Sequence, residues 1–354
     1  MASLFNPITI KGIRIKNRIA VSPMCQYSSF DGFSNDWHLV HLGSRAVGGA
    51  GLIISEATAV SPEGRISPED LGIWKDEHIT GLKRITEFIE SQHAVAGIQL
   101  AHAGRKASVA SPWKGGKPVS EDNEGWKTVA PSAIPFNDGS PVPAELTQQE
   151  IEELIAAFGK AARRAVRAGF KVIEIHAAHG YLLHQFLSPL SNRRNDEYGG
   201  SFENRIRLLL QVTEEINKEW PSDYPLFVRV STTDWTEGGW NIEDSIKLSK
   251  ELKKLQVDLI DCSSGGNVPH AKIPVGPCYQ VGFAERIRKE AGILTAAVGF
   301  ITQAEEAESI IETGQADIIL LAREFLRDPY FPLHAARTLH YDIDWPVQYE
   351  RARR

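Results

Sequence analysis

Short runs of apolar, mostly β-branched residues recur along the chain, and a stretch with helical periodicity follows most of them. The runs lie at residues 19–22, 52–56, 96–100, 172–176, 226–230, 259–263, 294–298 and 317–321. The helical stretches lie at 77–93, 148–168, 202–219, 243–256, 282–291 and 303–313. Such runs are typical of strands buried on both faces of a parallel sheet. The alternation predicts an α/β fold, a single (β/α)8 TIM barrel over residues 1–354, with an open doubly wound sheet plus a second domain as the alternative.

One long segment interrupts this alternation. Residues 101–146 are rich in Gly, Pro, Ser and Trp and show no sustained period. A loop of this length in a compact domain is usually functional or disordered, and its aromatic residues Trp113, Trp126 and Phe136 favour order. Because it leaves the third strand at the carboxyl end, where barrel active sites lie, we expect a lid or subdomain over a site.

The two ends of the chain carry their own elements. Residues 8–10 and 13–15 are apolar at alternate positions around Lys11-Gly12, which predicts a two-residue β-hairpin before the first barrel strand. After the eighth strand, residues 330–339 predict a closing helix, and residues 340–354 form an extended C-terminal tail with aromatic anchors.

Composition narrows the functional classes. The 354 residues include 39 Lys and Arg against 45 Asp and Glu, a net charge of −6, which gives no electrostatic reason to expect nucleic acid or a membrane as partner. The start of the chain shows no apolar signal region, and the cysteines Cys25, Cys262 and Cys278 are too few and too scattered for a disulfide framework. These features predict a cytoplasmic enzyme or a large binding domain.

In a barrel, functional residues are those at the carboxyl ends of the strands and just beyond. Those positions hold two histidines, two tyrosines, a thiol, two amides and two arginines among smaller residues. They are Ser22, Pro23, Met24, Cys25, Gln26, Tyr27, Ala57, Thr58, Gln99, His176, His179, Gly180, Tyr181, Arg229, Ser263, Gly265, Gly266, Gly299, Ala322 and Arg323. We expect this set to converge on one mouth.

The individual residues also have structural explanations. His176 and His179 could ligate a metal, but the H-E-x-x-H glutamate is absent, and a hydrogen-bonding pair is favoured. On a continuing strand residues i and i+3 point to opposite faces, so the chain must turn after His176 for both rings to reach one site. Cys25 alone is more often a small buried apolar residue, and Tyr181 alone is more often part of the core.

Arg229 lies inside a predicted strand, where an unpaired charge is costly, so it needs an anionic partner. A flavin, a phosphate or a carboxylate would each serve. The chain has neither a P-loop nor a G-x-G-x-x-G motif, but barrels often bind phosphate with the loops after strands 7 and 8. Gly299, Ala322 and Arg323 occupy those loops.

Several motifs resemble the Old Yellow Enzyme family of FMN-dependent ene-reductases. They are H-A-A-H-G-Y-L-L-H-Q-F-L-S-P at 176–189, N-R-R-N-D-E-Y-G-G-S-F-E-N-R at 192–205, S-P-M-C-Q-Y at 22–27 and Q-Y-E-R-A-R at 348–353. The motifs at 22–27 and 348–353 resemble the thermophilic-like branch of the family. The resemblance extends along essentially the whole chain.

The resemblance implies an NADPH dehydrogenase, with NADH as a second possible reductant, that reduces activated C=C bonds of enones, enals and related nitro compounds. It implies non-covalent FMN, whose ring is held by Ser22, Pro23, Met24, Cys25, Ala57, Gln99 and Arg229 and whose phosphate is held by Gly299, Ala322 and Arg323. Hydride would pass from FMN N5 to Cβ. Tyr27, His176 and His179 would bind the substrate, and Tyr181 would protonate Cα. The family's usual Gly-Arg pair is here Ala322-Arg323, which puts the phosphate geometry in question.

The resemblance also implies a homodimer or homotetramer in which Arg351 reaches the substrate site of a neighbouring subunit. Two alternatives come from other classes. A metal-dependent TIM-barrel hydrolase would use His176 and His179 as ligands, although carboxylates are missing from the mouth positions after strands 1, 4 and 8. A non-catalytic ligand-binding barrel would have no need of Cys25, both histidines and Tyr181 together.

Overall fold

Eight parallel strands close into a barrel in the computed structural model, which describes residues 2–353. The barrel strands are β3 (Ile19–Val21), β4 (Leu52–Ala59), β5 (Val95–Ala101), β8 (Val172–Ala177), β9 (Leu226–Ser231), β10 (Leu259–Ser263), β11 (Leu294–Ala297) and β12 (Ile318–Leu321). The last strand pairs with the first, through Leu320 beside Ala20, so the sheet has no free edge. The predicted (β/α)8 barrel is confirmed, and the open doubly wound sheet is wrong.

Helices surround the barrel in the predicted order. They are α1 (Asp36–Val47), α2 (His78–Ser91), α3 (Gln148–Arg167), α4 (Leu182–Leu187), α5 (Phe202–Glu219), α6 (Ile242–Lys254), α7 (Val281–Ala291), α8 (Ala304–Glu312), α9 (Arg323–Arg327) and α10 (Phe331–Thr338). Helix α1 has no counterpart among the predicted helices. Its buried face includes His38, His41 and Arg45, so an apolar period does not reveal it.

The N-terminal end of the barrel is closed by a hairpin of β1 (Ile8–Ile10) and β2 (Ile13–Ile15), as predicted. Its isoleucines join the inward-pointing side chains of the strands in one apolar cluster. This floor cluster consists of Ile8, Ile10, Ile15, Ala20, Leu52, Ile54, Val172, Phe227, Leu259, Ala296, Val298, Ile318 and Leu320. The floor of the barrel is therefore a packed core, which is the usual arrangement in this fold.

The barrel interior becomes polar toward the carboxyl ends of the strands. Gln99, Glu174, His176, Arg229 and Asp261 are all buried there. In each strand the inward residues alternate with outward ones, so Glu174 and His176 point to the same side of β8. A buried charge is tolerated only with a partner, and the contacts among these five residues therefore decide what this layer can do.

The segment between β5 and α3 has almost no regular structure, as the sequence predicts. It contains short 3-10 turns and one two-residue pair of strands, β6 (Val129–Ala130) and β7 (Ala144–Glu145). The C-terminal tail follows α10 and ends in a 3-10 turn at Val347–Ala352. No helix within residues 2–353 has the length and apolar character needed to cross a membrane.

Candidate active site

The chain turns sharply where β8 ends. His179 and Gly180 both adopt left-handed conformations, with φ of 58° and 72°. The turn brings the ring of His176 to 5.2 Å from that of His179 and 5.1 Å from that of Tyr181, measured between centroids. The three predicted catalytic side chains therefore share one face of the barrel mouth.

Hydrogen bonds from other elements hold this turn in place. The backbone N–H of His179 donates to Ser231 Oγ at 2.9 Å, and the His179 Nε2 atom lies 2.7 Å from Ser263 Oγ. The backbone N–H of Gly180 donates to His184 Nδ1 at 2.9 Å. His184 is itself held by the buried Asp234 carboxylate, whose Oδ1 lies 3.0 Å from His184 Nε2. The turn is thus positioned by the protein before any substrate binds.

The two histidines of the mouth are neutral at pH 7. Burial, and then the Arg229 guanidinium, hold the pKa values of His176 and His179 well below that of free histidine. A neutral imidazole carries one N–H donor and one acceptor nitrogen. Within residues 2–353, the buried His176 Nδ1 has no hydrogen-bond partner. The pair therefore offers hydrogen-bonding capacity to a bound molecule without bringing a charge.

Tyr181 packs in a small cluster that joins the strands to the 101–146 segment. Cys25, Tyr27 and Tyr181 lie there against Ala107 and Trp126. Burial, followed by the nearby Cys25 and Tyr27, raises the pKa of Tyr181 well above its usual value. Burial likewise raises the pKa of the Cys25 thiol. Both groups hold their protons at neutral pH, which makes Tyr181 a possible proton donor and Cys25 a thiol rather than a thiolate.

Lys106 is a mouth residue that the sequence interpretation missed. Its Nζ donates to the backbone oxygens of His179 at 2.8 Å and Gly266 at 3.0 Å. The same ammonium lies 5.0 Å from the centroid of the Tyr181 ring and 4.7 Å from that of Phe136. Burial, and secondarily the charge of Arg105, lower its pKa to about 8. Lys106 follows β5 at the carboxyl end of the barrel, and that position was the available signal for a functional residue. It belongs to no helical or strand period, so the sequence pattern did not single it out.

Arg229 finds its partner inside the protein. Its Nε lies 3.0 Å from Asp261 Oδ2, and its Nη1 donates to Ser22 Oγ at 3.1 Å. On the neighbouring strands, the Gln99 amide donates to Glu174 Oε1 at 2.7 Å. Of the three partners that the sequence left open for Arg229, the structure shows a carboxylate. The sequence analysis did not select Glu174 or Asp261 as site residues, although a charged residue inside an apolar strand was an available signal for each.

The other predicted ring-binding residues line the same region. Ser22 directly follows β3 and leads into Pro23, Met24 and Cys25. Ala57 lies inside β4, where the pairing with β5 shifts by one residue between Ser55 and Ala57. The irregularity lengthens β4 beyond its predicted end. The structure thus brings the ring-binding residues predicted on β3, β4, β5 and β9 to the carboxyl end of one barrel.

A cavity of about 220 Å³ extends from Arg229 toward the loops after β11 and β12. Its lining includes Ser263, Gly299, Ala322 and Arg323. Gly299 has φ of 118°, and a Cβ there would lie 2.7 Å from Gln280 Nε2, so this position requires glycine. The guanidinium of Arg323 lies 4.2 Å from the centroid of the Phe300 ring.

The tail residue Arg351 lies elsewhere. Its 3-10 turn is exposed, with the Tyr349 hydroxyl 3.4 Å from that of Tyr330. The tail borders a second cavity, of about 940 Å³, whose wall includes Lys16 and His93 near the amino ends of the strands. Within one protomer the structure therefore does not bring Arg351 to the mouth.

A model of the NADH:flavin oxidoreductase / NADH oxidase family matches residues 3–342. The chain belongs to this family. It is 53% identical over 350 residues to an NADPH dehydrogenase of Bacillus subtilis, which covers 98% of each chain. The predicted relationship to the Old Yellow Enzyme family is confirmed. This flavin oxidoreductase assignment is favoured over both the metal-dependent hydrolase and the non-catalytic barrel.

Solved structures of family members agree with this assignment. An Old Yellow Enzyme homologue from Zymomonas mobilis is 29% identical with a TM-score of 0.79, covering 98% of this chain and 95% of that one. Morphinone reductase in complex with tetrahydroNAD is 28% identical, also with a TM-score of 0.79, covering 98% of this chain and 93% of that one.

The family binds FMN, and the residues at the mouth of this flavin oxidoreductase fit that cofactor. Gln99 and Arg229 provide amide and guanidinium groups at one end of the cavity. At the other end, Gly299 lets the backbone approach a ligand closely and Arg323 provides a cation, while the neighbouring Glu324 pairs with Arg327. FMN has a flat polar ring at one end and a phosphate at the other, and this distribution of donors matches both ends.

The replacement of the usual glycine by Ala322 causes no left-handed strain. Its φ is −109°, outside the region that only glycine adopts readily. In the part of the chain that the structure describes, no three His, Cys, Asp or Glu side chains are arranged to hold a metal ion. The rings of His176 and His179 instead face Tyr181 and Ser263.

Proposed function

We propose that this chain is an FMN-dependent reductase that uses NADPH, with NADH as a second reductant, to reduce the activated C=C bond of enones, enals and nitroalkenes. The observation that carries the proposal is the convergence of two neutral histidines with a protonated tyrosine beside the cavity that suits FMN. The names of the relatives, NADPH dehydrogenase and morphinone reductase, support the same chemistry.

In this proposal the cofactor is held by the two ends of the cavity. Ser22, Pro23, Met24, Cys25, Ala57, Gln99 and Arg229 surround the ring, and Gly299, Ala322 and Arg323 hold the phosphate. FMN, when bound, supplies the hydride that the Cβ atom of the substrate requires. The role of the protein is to orient the two partners and to stabilise the charge that develops on the substrate.

His176 and His179 bind the carbonyl oxygen of the substrate. Negative charge develops on that oxygen during reduction, and fixed N–H donors in a dry site stabilise it by about 3–4 kcal/mol each. Neutral rings suit this role because their hydrogen bonds to the substrate oxygen strengthen as negative charge develops on it. In the ground state they carry no charge that would attract a carboxylate. The hydroxyls of Ser231 and Ser263 keep the His179 side of the turn in position.

Tyr181 donates the proton to Cα. Its raised pKa keeps the phenol protonated at neutral pH, so the proton is present when the substrate carbon becomes basic. The Lys106 ammonium over the ring stabilises the phenolate left after the transfer. Tyr27 packs in the same cluster as Tyr181 and lies edge-on to Trp113 at 5.6 Å between centroids.

The 101–146 segment covers this pocket as a lid. Ala103, Ala107 and Trp126 pack with Cys25 and Tyr181, which supports a role in excluding water. Trp126 is held by a hydrogen bond from its indole N–H to the Glu63 backbone oxygen at 2.8 Å. Water exclusion strengthens each electrostatic contact inside the pocket.

The chain works as a homodimer or homotetramer in which Arg351 enters the mouth of a neighbouring subunit. Trp37 and Val40 on α1 and Phe88 on α2 are exposed, and Phe88 packs over Gly43, so they form one apolar patch. Arg351 is exposed and far from its own mouth, which supports a role in another subunit. A guanidinium suits such an interface because its planar donors reach several acceptors at once.

The experiment uses the purified, yellow holoenzyme. Acid precipitation should release FMN into the supernatant, and anaerobic mixing with NADPH followed by cyclohexenone should bleach and then restore the flavin spectrum. A para-substituted phenol, which mimics the charged oxygen, should bind tightly to the wild type and at least tenfold more weakly to His176→Ala. A colourless protein, or an activity that chelators abolish, would contradict the proposal.

A further inference from the structure

The carboxyls of Glu174 and Asp261 face each other inside the barrel, one layer below the mouth. Both side chains are fully buried on β8 and β10, the strands on either side of β9, and the pKa of each carboxyl reflects a hydrogen bond with the other. Each is tied to one of the residues that suit the FMN ring. Glu174 Oε1 accepts from Gln99 at 2.7 Å, and Asp261 Oδ2 lies 3.0 Å from Arg229 Nε.

The remaining oxygens of this pair indicate a proton between them. Within the described residues, Glu174 Oε2 and both Asp261 oxygens are buried without a hydrogen-bond partner, although Asp261 Oδ2 lies within ion-pair distance of Arg229. One proton on Glu174 Oε2 would satisfy that atom and one Asp261 oxygen, since a protonated carboxyl donates and a carboxylate accepts. The same proton balances the charge, because one guanidinium then faces one carboxylate in a medium where an unpaired charge is costly.

The proton belongs on Glu174 rather than on Asp261. Asp261 lies against the Arg229 cation, which stabilises its ionised form, whereas Glu174 accepts only from a neutral amide. Burial first, and then the neighbouring Asp261, raise the pKa of Glu174. Burial also raises the pKa of Asp261, which the Arg229 charge partly offsets.

Within residues 2–353, Arg229 is the one other charged side chain that contributes to the pKa values of the pair. Arg229 on β9 is its cation, and His176 on β8 lies beside Arg229 in register. Cys262 on β10 points outward into the helix layer, and Asp261 contributes to the raised pKa of its thiol. On β4 and just after β3, the residues at this depth are Ala57, the register partner of Gln99, and Ser22, which accepts from Arg229, and neither side chain titrates.

We infer that Glu174 and Asp261 share one proton and act as positioning residues for the FMN ring, making the reduction potential of the holoenzyme depend on pH through Gln99 and Arg229. The inference rests on the proposed function. Negative charge placed beside Arg229 during reduction makes the pair hold its shared proton more firmly. In alkaline solution, where the oxidised enzyme has lost that proton, reduction is therefore accompanied by proton uptake inside the barrel, at a site separate from Tyr181.

Glu174→Gln is the sharpest variant because glutamine mimics the protonated glutamate. Its amide oxygen can still accept from Gln99 and its amide N–H can donate to Asp261, but its charge cannot change. At neutral pH the variant and the wild type then carry the same charge at the pair. Above neutral pH the wild type loses the shared proton, whereas the variant has no such proton to lose. In acid both proteins keep Asp261, which can take up a proton in either.

The test is the midpoint potential of the flavin in the holoenzyme, measured by dye equilibration from about pH 5.5 to 9. The two curves should coincide below neutral pH. Above neutral pH the wild-type curve should be steeper than the Glu174→Gln curve and should lie below it. Asp258→Asn is the matched control, since Asp258 pairs with Lys11 at the opposite end of the barrel and should leave the wild-type curve unchanged.

Redox-difference infrared spectra of the wild type give a second readout that needs no variant to fold. They should contain a carbonyl band of a protonated carboxyl that shifts in D2O. Superimposed potential curves for the wild type and Glu174→Gln, or a wild type without that band, would overturn the shared proton. A protein that binds no FMN would instead contradict the proposed function itself.

Discussion

The same eight strands form both ends of the barrel, but their inward side chains are apolar at the amino end and polar at the carboxyl end. At the amino end the inward side chains are aliphatic, the hairpin covers them, and the charged residues pair at the rim, as Lys11 does with Asp258 at 3.0 Å. At the carboxyl end Glu174, His176 and Arg229 are buried together and several of their atoms lack partners within residues 2–353. One end provides stability, and the other holds polar groups ready for ligands.

The difference has a physical reason. Burying an aliphatic side chain contributes about 1.5–3 kcal/mol to stability, whereas a buried polar group without a hydrogen bond costs about 1–3 kcal/mol. The apolar floor can therefore offset the polar mouth in the same barrel. Variants at the two ends should accordingly separate activity from the free energy of unfolding.

The largest effect is expected at the mouth. Tyr181→Phe removes one hydroxyl and keeps the ring in its cluster with Cys25 and Tyr27. Because a positioned general acid contributes about 10²–10⁴-fold, reoxidation of the reduced enzyme by an enone should slow by that factor. Reduction by NADPH needs no such proton and should keep its rate, as stopped-flow absorbance of the two half-reactions would show.

Tyr198→Phe provides the control for this variant. Tyr198 is also buried, but its hydroxyl donates to Gln211 outside the mouth. It should leave both half-reactions unchanged. If Tyr181→Phe also leaves the enone half-reaction unchanged, another group or water donates the proton.

The next effect is expected at the floor. Ile15→Ala empties a fully buried site in the floor cluster, and Ile-to-Ala changes of this kind cost about 2–5 kcal/mol. Urea unfolding should show this loss, while the half-reaction rates of the folded holoenzyme should stay within about twofold. Ile13→Ala, in the same strand but only partly buried, should cost clearly less. A large loss of activity in folded Ile15→Ala would break the separation between the two ends.

The amino end of the barrel was predicted from the sequence more completely than the carboxyl end. The floor followed from apolar runs whose length and β-branching are visible in one dimension, so all eight strands were predicted. The carboxylate partner of Arg229 was not predicted, because a lone Asp261 in a strand does not show which residue lies beside it on the neighbouring strand. Lys106 was missed for a related reason, since its contacts with His179 and Gly266 join residues that are distant in sequence.

A smaller effect concerns acid stability. His102 is buried after β5 and accepts from the Gly104 backbone N–H at 3.1 Å, and burial lowers its pKa to about 4. The His102 side chain takes up a proton near pH 6.5 in the unfolded chain but only near pH 4 in the folded chain. The free energy of unfolding therefore falls as the pH drops from 6.5 toward 4. His102→Gln should remove about 2–3 kcal/mol of the loss between pH 7 and 4.5, measured by urea unfolding. An unchanged pH dependence in this variant would mean that His102 is protonated in the folded protein.

The smallest effect is expected in the tail, which belongs to neither end of its own barrel. Deleting residues 349–354 removes Tyr349 and Arg351, together with the terminal Arg354, which lies outside the described residues. If Arg351 completes a neighbour's mouth, the deletion should raise the KM for enone about tenfold, equivalent to about 1.4 kcal/mol, and weaken self-association. FMN should stay bound, because no residue of the tail lines the Gly299 and Arg323 cavity.

Two single substitutions decide whether the effect comes from Arg351 itself. Arg351→Ala should reproduce the higher KM with an unchanged oligomeric mass by light scattering. Arg353→Ala is its matched control, because Arg353 already pairs with Asp342 and Glu350 of its own chain. The two variants remove the same charge two residues apart, so a general change in surface potential would affect both equally. Equal KM values for the two, or a truncated chain with wild-type mass and kinetics, would leave the mouth complete within one subunit.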